Sequence, residues 1–415
     1  MESRKEFLSA IGEQICTAGR GASKILLSGG PGWGKTQSLR FLNNYIAKRQ
    51  ECLNLFLPFD QICFSPEFFV EKCRDITADA LEQIGVKSSG LRTDYSSVNA
   101  IETLFGMIKS AAKTSGRAPL VLVDEVAEIA VLKSYRGQGD TLKRFFELYP
   151  DSNVLMSSAF PARVLEAATS VGITVDHFPI PAAVKTVIEE IADGFNLDLD
   201  ADQLRIVARL CCGSPAYIVA LIKNLETRGN KGPVQAAVEE LSPGGRLELL
   251  CRYHYEYLVQ RSRGQGIVRQ LLAAVASLQQ HSSRINLTAV AEALDRSLGV
   301  TKDYIKWLLA VGILESREKE YRIKDDLLAA WIRLYKSGVV SSLSDISSEI
   351  ERLAVDQAGP APAKAAERTM RQPKKSPVAE KKKISEDVVS RKIGEETITY
   401  ILYRPRGGSG LEEID

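Results

Sequence analysis

Histidine is scarce in this chain: there are three in 415 residues, His177, His254 and His281, and they do not cluster. A zinc centre or a histidine relay to a nucleophile therefore lacks its raw material. The seven cysteines are odd in number, scattered, and never spaced as C-x-x-C, so they read as reduced thiols, mostly buried. No apolar run reaches the roughly 18 residues of a membrane helix. The opening MESRKEFLSA carries charge where a secretory leader needs an apolar stretch. The expected location is the cytoplasm, with no membrane partner. An excess of charge is also lacking. With Lys+Arg 54 against Asp+Glu 52, the net +2 neither demands nor excludes a nucleic acid.

What is present is enough apolar material for large cores. Hydrophobic residues make up 45% and charged ones 26%, as in soluble globular proteins, and 415 residues suggest two or three domains. Residues 1–20 read as a short amphipathic helix carrying Phe7, Leu8 and Ile11 on one face. Short apolar runs follow at Lys24–Ser28, Leu53–Pro58, Pro119–Val123, Val154–Ser157 and Ile173–Phe178, with helical patterns between them. Strands alternating with helices predict a parallel sheet covered on both faces. From about Pro181 the strand signals stop, and helical patterns cover Val184–Phe195, Ala201–Leu210, Ala216–Leu225 and Val234–Leu241. After a connecting helix come helices at Ile267–Leu278, Leu287–Leu294 and Lys302–Val311, then a hairpin pattern over Ile313–Ile323, the order of a winged helix-turn-helix. The Pro, Ala and Lys mixture of 359–383 cannot bury enough apolar surface to order itself and reads as a disordered basic linker. Thr397–Tyr403 has strand propensity without a nearby partner in sequence, as a docking strand would.

Chemistry concentrates in three places. Gly29-Gly30-Pro31-Gly32-Trp33-Gly34-Lys35-Thr36 fits G-x-x-x-x-G-K-[ST] between an expected strand and an expected helix. Glycines let the backbone N–H groups curl around phosphates, and the helix, whose first turn includes Gln37, adds its positive end. Lys35 would reach the terminal phosphates and Thr36 a magnesium ion. Second, Leu120–Val123 delivers Asp124 and Glu125 at a strand end, where open α/β sheets place ligands. Asp124 would hold magnesium and Glu125 would orient or deprotonate the attacking water; the plain alternative is a solvated strand end. Third, the strand Val154–Ser158 ends in hydroxyls, and Ser157, with Ser158 close behind, could contact the γ-phosphate or the water. The alternative there is a helix N-cap.

In this order the residues resemble the AAA+-like STAND ATPases, and within them the archaeal-type ATPases with a winged helix after the nucleotide module. The resemblance spans residues 3 to 335. It rests on Arg4-Lys5-Glu6, similar to the family's Arg-x-x-Glu first helix, on the phosphate loop, Asp124-Glu125 and Ser157-Ser158, and on Gly213-Ser214-Pro215, similar to the lid G-x-P. It implies an α/β P-loop NTPase of the AAA+/ASCE type that binds ATP and Mg2+. It also implies that Pro215 couples nucleotide state to lid position. The implied layout is a P-loop ATPase domain (1–180), a helical lid (181–245), a connecting helix and winged helix (246–340), a disordered basic linker (341–395) and a strand-like tail (396–415). Origin-binding initiator ATPases share this layout but carry a lid arginine near the G-x-P position, where this chain has Ser214, Pro215, Ala216 and Tyr217. Arg144 and Arg163 lie where an arginine finger could, and both read as surface residues. Duplex DNA, through Lys302, Lys306, Arg317, Lys319, Arg322 and the linker, stays open as a partner, as do a protein and a second copy.

Overall fold

The computed structural model describes residues 4–17, 23–49, 52–87, 96–148, 153–183, 185–228, 232–262, 264–281, 284–336, 341–355, 385–393 and 396–404. Five parallel strands, β1 (Lys24–Ser28), β2 (Cys52–Pro58), β3 (Ala118–Asp124), β4 (Asn153–Ser158) and β5 (Asp176–Pro179), run in the order β2-β3-β4-β1-β5. Every residue of the central β1 is buried, which is why it reads as a continuous apolar run. The outer β2 alternates buried and half-buried positions. Side chains alternate across the sheet. Ile25, Leu27, Leu120, Leu122 and Leu155 pack on one face with Leu39, Leu42 and Ile46 of α2 (Lys35–Ala47) and Leu8, Ile11 and Ile15 of α1 (Arg4–Thr17). Leu26, Val121, Val123, Val154 and Met156 enter the larger core on the other face. The α/β fold expected from the sequence is the one observed.

Beyond the sheet the chain is helical: Lys185–Asp193, Ala201–Leu210, Pro215–Arg228, Pro233–Leu241 and Arg246–Gln260. The second of these starts on a capping box, with the Asp200 carboxylate accepting from the N–H groups of Asp202 and Gln203. Then follow helices Gln265–His281, Leu287–Ala293 and Leu298–Ala310 and the hairpin β6 (Leu314–Arg317) and β7 (Glu320–Ile323). Both central turn residues, Glu318 and Lys319, have positive φ, as the twist of a two-residue hairpin loop requires. Helix Asp326–Lys336 comes next.

Two expectations need correction. The span 341–395 is not linker throughout: helix Leu343–Val355 buries Ile346, Ile350 and Ala354, a stripe at spacing four, and its Glu349 forms an ion pair of 2.8 Å with the buried Arg333. Strand β8 (Ser385–Ile393) occupies the far end of the same span. Nor does the terminal strand β9 (Glu396–Arg404) lack a neighbouring partner, since it pairs antiparallel with β8 and at Asp176 and His177 with β5. The Lys/Pro composition of the middle of the span masked both ends. The linker centre, 356–384, lies outside the described residues. Among the described residues, no helix is long and apolar enough to cross a membrane.

Candidate active site

Because β4 lies between β1 and β3, the loop after β1 and the carboxylates after β3 face each other across the end of β4. Leu27 is level with Ser157 and Val123 with Met156, so Ser157 sits between the two.

The loop Gly29–Gly34 turns tightly, with Trp33 N–H donating to the Gly30 carbonyl at 3.2 Å. Gly32 and Gly34 both have positive φ, 76° and 73°, and both are crowded: a Cβ on Gly32 would lie 2.9 Å from Ala216 Cβ, and one on Gly34 2.8 Å from Arg4 Nη2. Arg4 braces the loop from α1. Its Nη2 donates to the carbonyls of Trp33 (2.6 Å) and Gly34 (3.1 Å) and to Ser38 Oγ (3.0 Å).

The buried Lys35 ammonium donates to the carbonyls of Gly29 (2.9 Å) and Gly30 (3.0 Å) and lies 2.9 Å from Glu125 Oε1. Asp124 accepts from Thr36 Oγ1 at 2.5 Å through one oxygen and from Ser157 Oγ through the other. Ser157 Oγ in turn accepts from Glu125 N–H at 3.0 Å, and Glu125 Oε2 accepts from Ala159 N–H at 2.9 Å. Thus Lys35, Thr36, Asp124, Glu125 and Ser157, chosen from motifs far apart in sequence, form one bonded cluster.

Other expected residues sit differently. Ser158 accepts from Phe160 N–H at 2.9 Å, a local turn bond rather than the expected N-cap, since Phe160 occupies the N-cap of helix Pro161–Ser170, and Gln37 is exposed on the first turn of α2. Pro215 opens helix Pro215–Arg228, and the touch on the loop is made one residue later, where Ala216 N–H donates to the Gly32 carbonyl at 3.3 Å. Arg144 is held by Glu102 (2.7 Å) and Glu147 (3.0 Å), as a surface arginine. Arg163 donates to the Arg261 carbonyl at 2.7 Å.

The sequence reading missed three contributors. His254, buried on helix Arg246–Gln260, stands over the loop, its imidazole 3.2 Å from where a Gly32 Cβ would be. Its Nδ1 meets Tyr217 Oη at 2.8 Å, and Tyr217 donates to Asp325 at 3.0 Å. Burial, then the Lys35 charge, lowers the His254 pKa to about 4, so the ring is neutral at pH 7. Lys324 lies 5.7 Å over the Trp33 ring. Asp60, just past β2, has its carboxyl pushed up to about 6 by burial and then by the charges of Asp124 and Glu125. No local pattern marks these residues, because each reaches the site through tertiary packing.

No protein-family profile matches the chain, and no curated protein matches it. Among solved structures it is similar to the Walker-type ATPase PABY2304 of Pyrococcus abyssi, at 14% identity and a TM-score of 0.59, covering 78% of this chain and 94% of that one. It is also similar to the Aeropyrum pernix Orc1 protein in complex with DNA, at 17% identity and a TM-score of 0.38 over 84% of this chain and 93% of that one. Aquifex aeolicus DnaA bound to AMPPCP aligns at 15% identity and a TM-score of 0.36, over 74% of this chain and 88% of that one. The first likeness is one of fold alone; the other two superpose too loosely to support a statement about this chain.

Proposed function

We propose that this chain binds ATP and hydrolyses it slowly, as a molecular switch of the AAA+/STAND type that couples nucleotide state to a binding event. The observation that carries this reading is the cluster in which the loop lysine, a strand-end carboxylate pair and a neighbouring strand's hydroxyl are bonded to one another. The backbone of Gly29, Gly30, Pro31, Gly32, Trp33 and Gly34 wraps the phosphates, and Lys35 exchanges its two carbonyl partners for phosphate oxygens. Gln37 adds the backbone of the first helical turn. Thr36 and Asp124 offer adjacent hard oxygens that suit magnesium, which would neutralise phosphate charge when bound. Glu125 orients or deprotonates the water. Ser157 holds the Asp124 carboxylate and the Glu125 backbone in place. The lid helix opened by Pro215, helix Arg246–Gln260 and the unit after Gln265 follow the loop through Ala216, His254 and Lys324 respectively.

A second reading is a DNA-binding regulator or initiator using helix Leu298–Ala310 and its hairpin as a winged helix-turn-helix. The helix-helix-helix-hairpin order favours it. Its cations are largely paired, however: Lys306 with Asp303 at 3.7 Å, Arg317 with Glu315 at 3.5 Å and Arg322 with Asp326 at 2.7 Å. That pairing weakens attraction to a polyanion and supports an internal clamp on the P-loop instead.

The test is binding of a fluorescent ATP analogue to the wild type and to Lys35→Ala, followed by ATP turnover with and without duplex DNA. Binding lost in Lys35→Ala with DNA-indifferent turnover is the expected result. Equal binding by both proteins would contradict the site, and DNA-stimulated turnover would move the reading to the regulator.

A further inference from the structure

We propose that Arg261 is a positioning residue for the Glu125 carboxylate, acting through Glu128, so that the C-terminal half of the chain sets the rate of hydrolysis apart from nucleotide affinity. This rests on the assignment of Glu125 to the attacking water.

Glu125 has a left-handed backbone, φ 51°, which is uncommon for a residue with a side chain and persists only where the surroundings impose it. It leads directly into a nine-residue 3₁₀ helix, Val126–Ser134, longer than that geometry usually runs. Val126, Ile129 and Leu132 pack it into the core and Thr141 bonds the Ile129 carbonyl at 2.7 Å, while Glu128 ties its first turn to the chain's C-terminal half. The Glu128 N–H donates to the Glu125 carbonyl at 2.9 Å, and its buried carboxylate receives both Arg261 Nε (2.6 Å) and Nη2 (2.9 Å). Tyr257 Oη adds a third donor at 3.1 Å. A buried carboxylate without its cation is strongly disfavoured, so loss of Arg261 drives Glu128 toward solvent and pulls the first turn after Glu125 with it.

The same helix end grips the other side of Glu125. Ala159 N–H holds the Glu125 carboxylate; the next residue, Phe160, stacks on Tyr257 with centroids 5.6 Å apart, and Arg163 donates to the Arg261 carbonyl at 2.7 Å. Both segments that aim the carboxylate, 126–134 and 159–163, are therefore bolted to residues 257–261. Helix Gln265–His281 begins four residues after Arg261, so displacement of the C-terminal unit reaches Glu125 with little chain to absorb it. The loop residues 29–36 bond to neither Glu128 nor Arg261; their tie to this arrangement is the Lys35–Glu125 ion pair, so displacing Glu125 slows hydrolysis without weakening the phosphate contacts of the loop.

The test compares kcat, KM and ATP affinity of Arg261→Ala and Arg261→Lys with the wild type and Glu125→Gln, and reads hydrogen exchange of the 125–134 amides in the same proteins. In Arg261→Ala, kcat is expected to fall about tenfold to a hundredfold, as a misaimed group does, with ATP affinity level or raised by about threefold as the displaced Glu125 frees Lys35. Arg261→Lys should recover part of the loss, and exchange at 125–134 should rise while that at 29–38 stays level. Wild-type kcat in Arg261→Ala beside an inactive Glu125→Gln would overturn this inference alone. So would ATP affinity falling in step with turnover, or unaltered exchange at 125–134, which decides the matter even where turnover is below detection. A fully active Glu125→Gln would remove the assignment beneath it.

Discussion

The Lys35 ammonium and the Glu125 carboxylate are ion-paired at 2.9 Å, both largely buried. The two groups assigned to phosphate and to water are thus each other's partners, and phosphate must compete with Glu125 for the lysine. Glu125→Gln removes that competition. ATP affinity is expected to rise at least about threefold, the scale of a modest ion pair released. Titration of a fluorescent ATP analogue measures it, and weaker binding by the variant would show that Glu125 assists the nucleotide instead.

Ser157 and Ser158 are adjacent, yet only Ser157 bonds to Asp124 and to the Glu125 N–H. Ser157→Ala leaves both groups short of a partner, which costs about 1 to 3 kcal/mol in stability where such groups are buried. It should also lower turnover about tenfold or more by loosening at once the groups assigned to magnesium and to water. Ser158→Ala loses only the bond from the Phe160 N–H and should stay within about twofold of wild-type turnover. Denaturation midpoints and steady-state rates of both variants give the comparison. Equal effects on turnover would contradict the distinct placement of the two hydroxyls.

Acid should destabilise the fold through its buried histidines. His177, which meets Ser28 Oγ at 2.7 Å, has its pKa lowered to about 4 by burial, and His254 is lowered to about 4 in the same way. The unfolded chain then binds more protons than the folded one between about pH 6.5 and 4. Each ring's contribution is therefore fully present above about pH 6.5 and is lost as pH falls toward 4, about 2 to 3 kcal/mol apiece. His177→Gln keeps a group able to bond Ser28 but cannot titrate. Urea midpoints at pH 7 and 4.5 should differ less in this variant than in the wild type.

The parallel sheet was readable because β1 and β3 are near-continuous apolar runs ending in glycines or carboxylates, a pattern fixed by burial on both faces. The residues Gly29 to Thr36, Asp124, Glu125 and Ser157 were readable for the same reason, since each follows or ends such a strand. The arms reaching in from elsewhere were not. His254 lies within a helix whose pattern serves its own core, and its place over Gly32 depends on how two distant units pack. The same holds for Arg261 and Glu128, which are 133 positions apart. The helix Leu343–Val355 was hidden by the composition that follows it, although its buried stripe is present in the sequence.

The central claim is that the cluster around Glu125 hydrolyses ATP, and steady-state phosphate release from ATP by Glu125→Gln beside the wild type tests it most directly. The account predicts turnover by the wild type and, in the variant, loss of at least about a hundredfold with ATP still bound, since a positioned acid–base group contributes on that scale. Wild-type turnover in Glu125→Gln would contradict it.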